Sequence, residues 1–128
     1  MLRKETSDWL KQAKADLKTA THCLDSKDYY ACAFFSQQAG EKALKAYYIH
    51  AKNDVPTKTH NVYELAIKLK LPERMVAICR RLAPQFVVSR YPDAVGGVPS
   101  ELYDENGASE VLDEAVELVE WLEKQILR

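Results

Sequence analysis

The feature that most constrains the fold is residues 29–52, a segment without proline and with one glycine, Gly40. It is rich in Ala, Lys and Glu, which favour helices, and Asp28 precedes it as a predicted cap. Its apolar side chains cover more than one stripe of the predicted helix, so that helix should contact several neighbours and lie at the centre of the fold. These residues are Ala31, Phe34, Phe35, Ala39, Ala43, Leu44, Tyr47 and Tyr48.

Four other helices are predicted from apolar residues that recur every three or four positions. The first of these helices is capped by Ser7 or Asp8 and ends near Ser26-Lys27. A short helix capped by Asn61 follows the long central one, and the next helix opens at Pro72 and is ended by Tyr91-Pro92. The last helix runs from Ala108 to Leu127. Pro84 should kink the helix that contains it, because proline lacks a backbone donor. Residues 92–107 hold three of the four glycines and two of the five prolines, and they are predicted to be irregular.

Composition limits the fold class and the location of the protein. The 128 residues, 47% hydrophobic and 29% charged, are typical of one globular domain, here 1–128. Few Gly and Pro argue against an all-β fold, so we predict an all-α, antiparallel up-and-down bundle of about five helices, with a four-helix core and one short helix. The lack of a membrane-spanning run or a secretory signal leads us to expect a cytoplasmic protein without membrane contact.

Several kinds of chemistry lack their usual motifs. Cys23, Cys32 and Cys79 form an odd set without C-x-x-C spacing, so buried free thiols are expected. A serine elbow, a P-loop, H-E-x-x-H and Glu-x-x-His pairs are all missing from the sequence. We therefore predict no metal, no cofactor and no catalytic residue.

The net charge of −1 conceals an uneven distribution. Residues 1–91 carry 16 basic and 9 acidic side chains, whereas residues 92–128 carry 2 and 10. The basic part could attract phosphate or nucleic acid. The alternative, which we favour, is that the acidic last helix packs among basic neighbours and cancels most of that field.

Three clusters resemble the HEPN domain family, small helical domains that are linked by name to nucleotide binding. The first is the stretch from Phe35 to Ala46, F-S-Q-Q-A-G-E-K-A-L-K-A; the second is Thr59-His60-Asn61; the third is Ser89-Arg90-Tyr91-Pro92-Asp93, which resembles an R-Y-P-D signature of one branch. Their order and spacing span nearly the whole chain. The resemblance implies a homodimer, a minimal nucleotidyltransferase as protein partner and, in some members, a two-component toxin and antitoxin pair.

Ribonuclease members of this family carry Arg, four to six residues, then His. Neither Arg80 nor Arg90 is followed by His at that distance, and no other Arg is either. The usual catalytic pair of the family is therefore missing, whereas its absence does not exclude binding of a nucleotide or RNA.

The predicted nucleotide-binding residues are Glu41, Lys45, His60, Arg90, Tyr91 and Asp93. Gln38, Glu41 and Lys45 share one helix face, although such a stripe can also be a solvated surface with an ordinary ion pair. Arg90 suits a bidentate phosphate contact, or else it pairs with Asp93. His60 either packs at a helix start or acts as a base, since imidazole ionises near neutral pH.

Three hypotheses remain open at this point. The first is a dimeric nucleotide-binding or nucleotidyltransferase-binding module. The second is a metal-independent ribonuclease in which His60 and Arg90 converge from different helices. The third is a structural interaction module, for which the three clusters would not converge. Exposed aromatics such as Tyr29, Tyr30 or Trp121 are candidates for a dimer face.

Overall fold

The computed structural model describes residues 2–128, whose regular structure is helical throughout. In chain order the helices are α1 (Lys4–Asp25), α2 (Tyr29–Lys52), α3 (Val62–Lys68), α4 (Glu73–Leu82), α5 (Gln85–Val88), α6 (Pro92–Val95), α7 (Pro99–Leu102) and α8 (Glu105–Leu127). The long helices α1, α2 and α8 form the body of the bundle, and α3 and α4 pack against it. The predicted all-α bundle is confirmed.

The first and last helices begin several residues before their predicted starts. Helix α1 begins one turn before Ser7, and Lys4 pairs with Asp8 at 2.7 Å across that turn. Helix α8 begins at Glu105 because Asp104 caps it, its Oδ1 accepting a hydrogen bond of 2.7 Å from the Gly107 amide. The supposedly irregular residues 92–107 also contain α6 and α7, each opened by a proline, whose fixed φ suits the first turn.

Helix α2 is central, as predicted, and it contacts α1, α8 and the shorter helices α3, α4, α5 and α7. Gly40 allows close packing there, because a Cβ atom at this position would lie 3.2 Å from both Leu82 and Leu118. The side chains of these two leucines are almost completely buried in the main core cluster. Helices α4 and α8 therefore meet α2 where its backbone carries no side chain.

The predicted kink at Pro84 is a break in the regular helix, although Ala83 and Pro84 keep right-handed helical backbone angles. Helix α4 ends at Leu82, and a new turn, α5, begins at Gln85 and packs on α2. Proline lacks the amide that would continue the hydrogen-bond ladder of α4. The break brings Phe86 and Arg90 towards α2, where they join the candidate site described below.

Ion pairs join the acidic last helix to basic neighbours. Arg74 pairs with Glu117 at 2.9 Å, Lys14 pairs with Glu123 at 2.9 Å, and Arg81 pairs with Glu114. Three basic side chains of residues 1–91 therefore pair with the last helix, in the direction of the favoured interpretation of the uneven charge distribution. These surface pairs neutralise part of the positive charge of residues 1–91, so a ligand would meet both the remaining summed charge and any unpaired local cation.

All three cysteines are free thiols, as expected. Cys32 and Cys79 are buried, and burial raises the pKa of the Cys79 thiol to about 12 and that of Cys32 to about 11. Cys23 is only partly buried, which corrects the prediction for that residue.

Among residues 2–128, no helix is long and apolar enough to cross a membrane.

Candidate functional site

A buried carboxylate on α2 is the centre of the candidate site. Glu41 is 3% exposed and Lys45, one turn later, is 6% exposed. Lys45 Nζ lies 3.1 Å from Glu41 Oε2, so the pair is an ion pair out of solvent. The alternative of a solvated surface stripe is therefore wrong for these two residues. Burying two charges costs several kcal/mol per ion unless they are paired and hydrogen-bonded.

Further donors surround the same carboxylate. His60 Nδ1 lies 3.1 Å from Oε2 and 3.2 Å from Oε1 of Glu41. The Gln37 side-chain amide donates to Oε1 at 3.3 Å, and that of Gln38 is 3.5 Å from the same oxygen. We name these five residues, Gln37, Gln38, Glu41, Lys45 and His60, the Glu41 cluster. It has the several donors that a buried carboxylate requires.

The contact with Glu41 determines how the His60 ring is presented. An ionised carboxylate only accepts hydrogen bonds, so we assign the proton to Nδ1, which donates to Glu41. The Gln37 amide also donates to the His60 carbonyl at 2.9 Å, which ties the loop before α3 to α2. Asn61 then caps α3 by accepting from the amides of Tyr63 and Glu64, as predicted. The His60 side chain, 57% exposed, leaves Nε2 available for a ligand.

Phe86 connects His60 to Arg90. The rings of His60 and Phe86 are stacked, with centroids 4.3 Å apart and an interplanar angle of 12°. The Arg90 guanidinium carbon lies 4.3 Å from the Phe86 centroid, 4.8 Å from that of Tyr91 and 4.9 Å from that of Phe34. We call these three aromatic residues the Arg90 cage. The imidazole and the guanidinium therefore both contact the Phe86 ring.

The cage holds Arg90 without neutralising its charge. Arg90 Nε donates to the Phe86 carbonyl at 2.7 Å, and within residues 2–128 the guanidinium forms no ion pair, with Asp93 or any other carboxylate. Aromatic faces attract a cation but do not cancel its charge. The guanidinium therefore keeps its capacity to bind an anion.

The predicted site residues are brought together unevenly. Glu41, Lys45 and His60 are in direct contact, and Arg90 joins them through Phe86. Tyr91 contacts Arg90 and is 47% exposed. Asp93 is exposed on α6 and, within the described chain, forms no hydrogen bond or ion pair with the others. Apart from Asp93, residues of the three sequence clusters lie close together. The hypothesis of a purely structural interaction module predicted that they would not.

Sequence reasoning overlooked three residues as members of the site. Gln37 is fully buried, and its position four residues before Glu41 places it on the same helix face, a spacing that could have identified it. Phe34 and Phe86 looked like ordinary core residues, yet both contact Arg90. The position of Phe86 four residues before Arg90 was the available signal.

The comparisons with known proteins agree with this architecture. The HEPN domain model matches residues 6–125, and the chain therefore belongs to the HEPN domain family. "Putative toxin MJ1304" from Methanocaldococcus jannaschii is 29% identical over 126 positions, which cover 88% of this chain and 82% of that protein. The subdivision by the R-Y-P-D motif stays a prediction.

Solved structures show the same fold. TT1696 from Thermus thermophilus superposes with a TM-score of 0.86 and 30% identity, covering 95% of this chain and 98% of that one. ST0689, an archaeal HEPN homologue, gives a TM-score of 0.84 and 31% identity, with 97% and 99% covered. An HEPN domain protein of Thermotoga maritima, TM0613, gives 0.74 and 25%, with 94% and 98% covered.

Proposed function

We propose that this chain is a nucleotide-binding HEPN module in which Arg90 and His60 hold phosphate, His60 through Nε2 when both ring nitrogens carry a proton. The observation that carries the proposal is that both side chains contact the same Phe86 ring. Arginine binds phosphate through a planar array of donors, and a prepositioned side chain loses less entropy on binding. The Glu41 cluster supports the site by orienting the imidazole.

The biological setting is the second part of the proposal. A relative named as a toxin supports a toxin-like role, and the family resemblance implies a minimal nucleotidyltransferase as protein partner. We include a homodimer in the proposal. Tyr30, 38% exposed, is the aromatic available for such a contact, whereas Tyr29 and Trp121 are only partly exposed. A monomeric mass in light scattering, with and without the coexpressed nucleotidyltransferase, would contradict both assemblies.

A thermal-shift panel of ATP, GTP, ADP, GDP and a short RNA tests nucleotide binding. Ligand at about 100 times its dissociation constant adds roughly 2.7 kcal/mol to the free energy of unfolding. For a domain of this size, that should raise the melting temperature by several degrees. A flat panel at millimolar ligand would reject nucleotide binding and leave a module that acts only through a protein partner.

A metal-independent ribonuclease is the second candidate, favoured by the contact of both His60 and Arg90 with Phe86 from different elements. His60 Nε2 would serve as the base, and Arg90 would stabilise the charge on the phosphate. Incubation of single-stranded RNA with clean protein in EDTA should then yield fragments, and His60→Ala should abolish cleavage. His50→Ala, which removes a histidine exposed on α2, is the matched control. Intact RNA after incubation with the unmodified protein would reject this candidate.

A further inference from the structure

A cleft lies beside the Glu41 cluster, between the start of α1, the end of α2 and the loop of residues 53–60. Its volume is about 630 Å³, which is within the range of small-molecule sites. Lys45 and His60 belong both to the cluster and to the wall of the cleft. A ligand in the cleft can therefore reach the imidazole that the proposed function assigns to phosphate.

One part of the cleft is apolar and contains an aromatic ring. Trp9, Ile49, Val55 and Pro56 line it, and Val55 is 78% exposed. Lys45 Nζ lies 5.4 Å from the Trp9 ring centroid, so a cation already faces this indole. A planar ring in the cleft would cover apolar surface that now meets water, and it could stack on Trp9.

The rim of the cleft carries both cations and carboxylates. Arg3 and Lys58 are exposed and, within residues 2–128, neither forms an ion pair. Thr57 Oγ1 is buried without a hydrogen-bond partner in the same part of the chain. Two carboxylates, Glu5 and Asp54, also line the cleft. The Thr57 hydroxyl has almost no accessible surface, so a ligand in the cleft would meet the charged groups of the rim instead.

From this combination we infer that the cleft binds the base and ribose of a nucleotide, with the base near Trp9 and the phosphates directed to Lys58 and His60. The inference rests on the proposed nucleotide-binding function, and it adds that the base binds in the cleft beside Trp9. A planar ring fits the apolar wall, and Arg3 and Lys58 are the rim cations that can meet an anionic group, beside the carboxylates of Glu5 and Asp54. A phosphate without a base would leave Trp9 uncovered.

Tryptophan fluorescence provides a direct test. The chain has two tryptophans, so Trp121→Phe leaves Trp9 as the single indole. ATP and GTP should change the emission of this variant in a saturable manner, whereas inorganic tripolyphosphate at equal charge should not. Lys58→Glu should weaken ATP binding at least tenfold. Lys11→Glu, the same change at an exposed position of α1 outside the cleft, should leave the affinity unchanged.

The outcomes separate this inference from the proposed function. If ATP and GTP bind and Arg90→Glu abolishes binding, but Trp9 emission and Lys58→Glu have no effect, the cleft assignment is overturned and the proposed function stands. If Lys58→Glu weakens binding and Arg90→Glu does not, the cleft assignment stands and Arg90 is not part of the site. If neither nucleotide binds the unmodified protein, both are rejected. Circular dichroism confirms that each variant is folded.

Discussion

Replacing Lys45 with methionine should lower the free energy of unfolding by about 3 kcal/mol. Glu41 and Lys45 are 4% and 8% exposed in their side chains, and their charged atoms are 3.1 Å apart. Methionine retains most of the volume of lysine but removes the charge, so the buried carboxylate keeps only His60 and the two glutamine amides as donors. Urea unfolding followed by circular dichroism measures the change.

Two controls isolate the ion pair from the general cost of substituting lysine. Lys14→Met removes an exposed partner of Glu123 and should cost no more than about 1 kcal/mol. The double variant Glu41→Leu with Lys45→Met removes both charges, and it should be more stable than Lys45→Met alone. If Lys45→Met has the same free energy of unfolding as Lys14→Met, the buried Glu41 carboxylate does not need Lys45 for its stabilisation.

Charge reversal at Arg90 should have the largest effect on binding, a loss of nucleotide affinity of about 100-fold or more. Arg90 Nε is held by the Phe86 carbonyl at 2.7 Å, and three aromatic rings surround the guanidinium. Arg90→Glu places an anion where the phosphate is proposed to bind. It also removes the charge-assisted hydrogen bonds of the guanidinium. Isothermal titration with ATP and GTP measures the loss.

The matched control is Arg80→Glu. Arg80 also contacts an aromatic ring, that of Tyr63 at 5.2 Å, but it makes no contact with the Glu41 cluster or the Arg90 cage in the described chain. This variant has the same change in net charge and should bind with unchanged affinity. Equal losses in both variants would indicate that only the summed charge matters, and unchanged affinity in Arg90→Glu would exclude Arg90 from the site.

Much of the fold could be predicted from local patterns. The central position of α2 follows from apolar residues on several of its faces, and the bounds predicted for it, Tyr29–Lys52, are those observed. The helix ends that sequence reasoning misplaced depend on weaker signals. For example, Asp104 caps α8 although Gly107 follows, and a glycine so close to a helix start is easily interpreted as part of a loop.

The candidate site was predicted in part. Glu41 and Lys45 stand one turn apart, so their pairing follows from helix geometry alone. That the pair is buried does not follow, because burial depends on what packs over that face. His60 was predicted as a site residue from a family resemblance. It contacts Glu41, which lies 19 positions earlier in the sequence. No local pattern in the sequence indicates such a distant contact.

The sequence by itself determined the long helices α1, α2 and α8, the buried thiols Cys32 and Cys79, and the spacing of the ion pair within α2, because each depends on neighbours within a few residues or on hydrophobicity. Only the tertiary structure decided that Phe86 contacts both His60 and Arg90, and that a cleft opens beside Trp9. These features arise where the break at Pro84 and the loop of residues 53–60 return the chain to α2. The packing of the whole bundle determines where these two segments lie. Packing between residues that are distant in sequence cannot be predicted from a local sequence pattern.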